Sequence, residues 1–330
     1  MSDLRDPRVL SWRSPAQRRR IAAGMRRAEG RLGSVAHAYP GQLGRSSIAT
    51  LGAGGKRLRP LLVLLCARRG VPLRAPVIHA AAAVELLHMA TLVHDDVIDG
   101  AALRRGRPTV VNESGPAVAT SVGNYLFAGA FTEAVATADA RAVARLSDVA
   151  AGLSEGEVNQ MREAYDVLVS PEAYLRRCTL KTADLFAVSC RLGAQVTGVE
   201  EASVVELEDF GRLMGLAFQI FDDILDFTGD ESRTGKKVGT DVRDGTVTLP
   251  LVYALEALPE LAPLVAQRDK NGGQVRDVVA SVRGCGALER AREAALAYIV
   301  AARERLAACR ADVEKDLLGE LAGRVVDRYS

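Results

Sequence analysis

From Ala75 to Asp99 the chain is apolar around most of a helical circumference. Val77, Ala80, Ala81, Val84, Leu87 and Leu92 recur at three- and four-residue spacing, the period of a helix. A helix with no wide polar face must be surrounded by other helices. Similar patterns run over about 117–139, 141–165, 171–194 and 201–227, and amphipathic stretches cover 288–306 and 312–329. Most of the twelve prolines fall at the breaks, and none lies between Pro171 and Pro250; proline ends helices rather than continuing them. Strand-like alternation is scarce: Val110-Val111 and the run from Val167 to Val169 are too short to build a sheet. The chain is therefore expected to be all-α, one large helical bundle with a buried centre. A single domain over 1–330 is expected, with 1–14 loosely ordered. No strict heptad persists, so a coiled coil is disfavoured.

Net charge is +2, from 43 basic and 41 acidic residues. No global field favours nucleic acid, so local clusters must carry any charge-based function. The five cysteines are odd in number and form no C-x-x-C, which argues against a disulfide framework or zinc and for a reducing, cytoplasmic setting. The N-terminus has no apolar core of a secretory signal. The longest unbroken apolar run, Ala294 to Ala302, is too short to span a bilayer, so no transmembrane segment is expected.

The chemistry lies in two acidic motifs. His94-Asp95-Asp96-Val97-Ile98-Asp99 ends the first apolar helix, and Phe221-Asp222-Asp223-Ile224-Leu225-Asp226 ends another. In each, the first and last carboxylates stand one helical turn apart on one face. Like charges at that spacing destabilise a helix by about 0.2–0.5 kcal/mol per pair. A hard divalent cation relieves this, because carboxylate oxygens are its preferred ligands. Magnesium usually takes one or two carboxylates and completes its sphere with water and phosphate. Two D-D-x-x-D turns therefore suit a diphosphate held through several metal ions.

Basic residues complete the picture. Gly54-Gly55-Lys56-Arg57-Leu58-Arg59-Pro60 is a glycine-led basic turn before a helix, a form that presents N–H groups and cations to an anion. It lacks the Walker spacing. Arg104-Arg105 follow the first acidic motif by five residues, and arginine grips phosphate through a bidentate fork. Lys181-Thr182 and Lys236-Lys237 are weaker signals, the second pair on a loop that could act as a lid. His88 stands two turns before Asp95. His79 and His94 read as core residues, and no H-x-x-x-H pair suggests zinc.

Taken together, GGKRLRP at 54–60, LLHMATLVHDDVID at 86–99, LRRGRPT at 103–109, KT at 181–182 and FQIFDDILDFTGD at 218–230 resemble the trans-isoprenyl diphosphate synthase (polyprenyl synthetase) family. The resemblance covers nearly the whole chain. It implies a helical bundle around a central cavity, of the isoprenoid synthase type. It implies transfer of an allylic prenyl group to isopentenyl diphosphate, with pyrophosphate released. Three magnesium ions per site and a homodimer are also implied. By position, Lys56, Arg59, His88 and Arg105 would hold isopentenyl diphosphate, and Arg104, Lys181 and Lys236 the allylic diphosphate. Asp95, Asp99 and Asp222 would ligate magnesium, and Asp96, Asp223 and Asp226 would support the metal–water network. Thr182 and Gln219 would stand near the developing allylic cation. Asn124 stands where the family usually has Asp, and Thr246 where Lys is common.

Small residues one turn before Asp95, Ala90 and Thr91, would leave a product tunnel open. A product longer than farnesyl diphosphate is expected, with a floor near Leu87 or Val84, or at Phe127 or Phe131. A class I terpene cyclase and a non-catalytic subunit of a heteromeric synthase are the competing readings. A cyclase has no use for a second diphosphate site, and a degenerate subunit usually loses part of an acidic motif.

Overall fold

The computed structural model describes residues 10–229 and 238–327. Its helices, in chain order, are α1 (Pro15–Ala36), α2 (Gly41–Gly52), α3 (Leu58–Cys66), α4 (Ala75–Ile98), α5 (Val110–Val135), α6 (Ala140–Arg162), α7 (Pro171–Cys178), α8 (Asp184–Gln195) and α9 (Glu201–Thr228). After these come α10 (Thr240–Asp244), α11 (Leu249–Ala257), α12 (Ala262–Ala266), α13 (Gly272–Gly284), α14 (Ala287–Ala308) and α15 (Lys315–Asp327). The all-α class expected from periodicity is found. Strand pairing among the described residues is confined to one hairpin, β1 (Leu103–Arg104) with β2 (Arg107–Pro108).

The chain divides into two compact units. The first holds the described residues up to Ala150, Leu185–Asp209 and Arg305–Leu321. Here α4 packs against α1, α3 and α5. Fourteen of its residues are buried, among them Val77, Val84, Leu86 and Leu87. By length and composition α4 could cross a membrane, but 72% of its most apolar window is buried in the protein. Its apolar circumference is consumed by neighbouring helices. Close approach needs glycine at several points, two of them on α5 and α8. A Cβ at Gly123 on α5 would sit 2.2 Å from His94 Nε2, and one at Gly193 on α8 would sit 2.0 Å from the Val63 carbonyl. At the start of the described chain Leu10 is buried, and the Ser11 N–H donates to Glu320 at 2.8 Å.

The second unit holds Ala151–Asp184, the described residues within Phe210–Glu304, and those from Ala322 on. Two local departures from the sequence expectation matter. Helix α5 begins seven residues before Ala117, capped by Thr109, and passes a kink where Gly115 adopts φ 80° ahead of Pro116. The stretch expected as one helix from Pro171 is interrupted by a π-helical turn, Thr179–Ala183. Such turns insert an extra residue and often occur at functional sites; this one carries Lys181 and Thr182.

Candidate diphosphate and metal site

In the first unit, the first acidic motif is the last turn of α4. Asp99 caps it, its N–H donating to the Asp95 carbonyl at 2.8 Å. Asp96 is buried and accepts from Arg104 Nε at 2.7 Å. Burial pushes the Asp96 carboxyl up, and the Arg104 charge opposes that shift. Asp95 is half-buried and Asp99 exposed.

Arg104 is aimed by the hairpin. Arg105 (φ 54°) and Gly106 (φ 74°) are both left-handed, as a two-residue hairpin turn of the primed type requires. Glycine takes this conformation freely, whereas an arginine there is strained. The strained residue is one that the sequence assigns to a diphosphate. Arg105 Nη1 donates to the Gly54 carbonyl, tying the hairpin to the glycine-led turn. That turn is held by Arg57, also left-handed at φ 50°. Arg57 is buried and donates to Glu29 at 2.6 Å, Glu85 at 2.8 Å and the Leu51 carbonyl at 3.1 Å. Arg57 is therefore a structural member of the turn.

Arg59 lies over the Phe186 ring at 4.9 Å. Its Nε is buried with no hydrogen-bond partner among the described residues, and burial lowers its pKa to about 10. His88 is pushed well below the usual histidine range, first by burial and then by Arg59, Arg105, Arg104 and Arg57. Four guanidinium groups thus crowd one neutral imidazole. A cavity of about 200 Å³ opens here, lined by His88, Arg104, Arg105 and Gly54 with apolar Met89 and Leu92. The arginines and the apolar wall of this cavity fit an anion that carries a hydrocarbon tail. Lys56 is half-buried in the same turn.

In the second unit, the second motif sits in a hydrogen-bonded chain. Thr182 Oγ1 donates to Gln219 Oε1 at 2.7 Å, and Gln219 Nε2 donates to Asp223 Oδ1 at 2.8 Å. The Tyr174 hydroxyl donates to Asp223 Oδ2 at 2.6 Å. Burial pushes Asp223 up to about 7 against these donors. The carboxylate of Asp226 accepts from the N–H groups of Thr240 and Asp241, each at 3.1 Å, so it anchors the start of α10. Asp222 is half-buried. Lys181 Nζ is ion-paired with Glu157 and donates to Gln160 Oε1 at 2.9 Å. Lys236 lies outside the described residues.

The chain-length candidates fall in the first unit. Ala90, Leu87 and Val84 are fully buried on α4. Thr91 is half-buried, its hydroxyl donating to the His88 carbonyl at 2.9 Å. Phe127 and Phe131 are half-buried on α5 with ring centroids 5.2 Å apart. Of the two departures, Asn124 is exposed on α5, and the Thr246 N–H donates to the Asp241 carbonyl at 2.8 Å.

Among the described residues no group of three or more His, Cys, Asp or Glu side chains could hold a metal ion alone. Carboxylate-only donors, too few in any one place to cage an ion, fit magnesium, which leaves positions for water and phosphate. They do not fit a structural zinc site.

The sequence profile of the polyprenyl synthetase family matches residues 42–282. The chain belongs to the polyprenyl synthetase family. It is 40% identical over 283 residues to "Heptaprenyl diphosphate synthase component 2" of Geobacillus stearothermophilus, covering 86% of this chain and 88% of that one. It is 36% identical over 292 residues to "Nonaprenyl diphosphate synthase" of Mycobacterium tuberculosis, 87% of each. Its fold is similar to that of the polyprenyl synthase from Caulobacter crescentus CB15 crystallised with calcium and isoprenyl diphosphate, with TM-score 0.83, 34% identity, and 94% and 95% of the two chains covered. Both curated relatives are named for prenyl products longer than farnesyl, as the sequence reading expected.

Sequence reasoning missed several residues that frame this polyprenyl synthetase site. Glu157 and Gln160 hold Lys181; their i,i+3 spacing on α6 was the available signal. Tyr174 and Arg177 gave none. Arg177 is buried, ion-paired with Glu163, and donates to the Val247 carbonyl at 2.6 Å.

Proposed function

We propose that this polyprenyl synthetase condenses isopentenyl diphosphate with an allylic diphosphate, giving an all-trans polyprenyl diphosphate longer than farnesyl and pyrophosphate. The observation that carries the reading is the arginine cluster around neutral His88, in the same unit as an intact acidic motif ending an apolar helix. A cyclase needs no such second anion site, and a degenerate subunit usually loses part of an acidic motif, whereas both are intact here.

Lys56, Arg59, His88 and Arg105 bind isopentenyl diphosphate. Arg104 and Lys181, with Lys236 from outside the described residues, bind the allylic diphosphate. Asp95, Asp99 and Asp222 would hold magnesium, three ions by family resemblance, and Asp96, Asp223 and Asp226 support them. Magnesium, when bound, supplies the positive charge that makes pyrophosphate a good leaving group. Arg104 and Lys181 stabilise the negative charge as the allylic C–O bond breaks. Thr182 and Gln219 stand near the developing cation, and apolar walls keep water from it. Holding the isopentenyl double bond beside that cation makes attack effectively unimolecular. The released pyrophosphate takes the proton.

We read the two units as one catalytic domain in a cytoplasmic homodimer. The "component 2" name of one relative makes a two-protein assembly the alternative, and the mass of the purified active species decides between them.

The test is a product assay by mass spectrometry. Purified protein receives isopentenyl diphosphate, magnesium and dimethylallyl, geranyl, farnesyl or geranylgeranyl diphosphate. Elongation beyond fifteen carbons is expected, and Ala90→Phe should shorten the products. No elongation from any primer, by a folded and magnesium-replete protein, would overturn the reading.

A further inference from the structure

We propose that Tyr174 is a positioning residue of the second acidic motif: its hydroxyl fixes the Asp223 carboxylate and, through Gln219, the Thr182 hydroxyl. This rests on the reading that the chain binds a metal diphosphate, and none of the sequence motifs assigns Tyr174 a role.

Tyr174 is 1% exposed. A buried tyrosine hydroxyl costs stability unless it finds a partner, and this one donates to Asp223 Oδ2 at 2.6 Å. The other carboxylate oxygen is held by Gln219 at 2.8 Å, and Gln219 in turn accepts from Thr182 at 2.7 Å. Among the described residues each oxygen of Asp223 thus has one hydrogen-bonded donor, and removing either frees the carboxylate to rotate. The ring is itself held, with the Arg177 guanidinium 5.7 Å from its centroid and Arg177 tied to Glu163 and the Val247 carbonyl. Cys178 lies beside the same hydroxyl.

The π-helical turn explains how one segment serves both ends of the chain. Tyr174 and Thr182 are eight residues apart. A regular α-helix drifts about 40° every four residues, which would carry Thr182 away from the tyrosine's face. The wider turn at Thr179–Ala183 takes back part of that drift. The turn thus lets Tyr174 and Thr182 both reach partners on the same stretch of α9.

The test uses the full chain as wild type, Tyr174→Phe, Asp223→Asn and the double variant. Melting temperature is measured without ligand and with magnesium plus inorganic pyrophosphate. Tyr174→Phe should at least halve the ligand-induced rise and raise several-fold the magnesium needed for half of it. In the Asp223→Asn background the same change should do nothing further, because the hydroxyl acts through that carboxylate. Tyr174→4-aminophenylalanine, which keeps a donor on the same ring, should restore most of the response and serves as the comparison if the Phe variant does not fold. A wild-type response in Tyr174→Phe, an equal loss in the Asp223→Asn background, or no rescue by the amine would each overturn the assignment. Turnover is scored separately: a wild type that makes no polyprenyl product but responds to magnesium pyrophosphate breaks the proposed reaction and leaves the Tyr174 result standing.

Discussion

The two acidic motifs share one sequence pattern and sit in different surroundings. In the first, the middle carboxylate, Asp96, is paired with a full charge, Arg104, eight residues further along the chain. In the second, the corresponding Asp223 is held by neutral donors, Tyr174 and Gln219, and burial raises it to about 7. The last acids differ too. Asp99 is exposed at a helix cap, whereas the Asp226 carboxylate caps the N–H groups of Thr240 and Asp241. The spacing D-D-x-x-D decides where carboxylates stand, and the packing decides what charge they carry. The first motif lies among arginines and reads as the electrostatic half of the machinery. In the second, Asp223 is held by neutral hydrogen-bond donors with the Arg177 guanidinium further off, and that motif reads as the geometric half.

The sharpest way to break this contrast is to remove one acid from each motif. Asp95→Asn and Asp222→Asn should each lower kcat/KM by about 100-fold or more, roughly 3 kcal/mol, if both hold metal. Initial rates at saturating magnesium measure this, and a loss under tenfold at either position would remove that residue from the metal site. The next effect separates charge from scaffold within the first unit. Arg104→Ala should cost about 10- to 100-fold in rate, the range of a charged hydrogen bond, with a smaller loss of stability than at Arg57, because the Arg104 side chain is 33% exposed and leaves only Asp96 without its partner. Arg57→Ala should instead destabilise by about 3–5 kcal/mol, because it leaves Glu85 buried without its partner. Urea unfolding reads the second effect, and equal behaviour of the two variants would contradict the division.

What could be read from the sequence follows the range of the interactions. Helix α4, both acidic motifs and the Arg104-Arg105 pair were visible because periodicity and spacing are local properties. The all-α class follows from the same signals. The tie from the Arg105 turn to the Gly54 carbonyl was not visible, because its partner stands 51 residues earlier. Nor was the π-helical turn, since the few apolar residues on either side of Lys181 do not fix the helical phase over so short a stretch. Arg57 stood in a basic motif beside Lys56 and Arg59, yet its partners are Glu29 and Glu85 on two other helices. Tyr174 meets Asp223 across 49 residues. Composition carries no trace of such a meeting.

The smallest effect concerns His88, where the electrostatic character of the first motif can be read directly. Burial favours the neutral imidazole, and Arg59, Arg105, Arg104 and Arg57 all disfavour its protonation, so its pKa is depressed. An unfolded histidine titrates near 6.5. The stability that His88 contributes is therefore fully present above about pH 6.5 and is lost as pH falls towards the folded value. In the free protein, the His88 ring resonance, assigned by comparison with His88→Gln, should show no titration between pH 8 and 6. His88→Gln keeps a neutral hydrogen-bonding side chain. It should change KM for isopentenyl diphosphate by less than about threefold, about 0.6 kcal/mol, and flatten the loss of stability below pH 6.5. A bound diphosphate adds negative charge beside the arginines and should raise the His88 pKa. A midpoint of 6 to 7 without ligand would mean that the guanidinium groups are turned away from the imidazole, and the contrast between the two motifs would lose its electrostatic half.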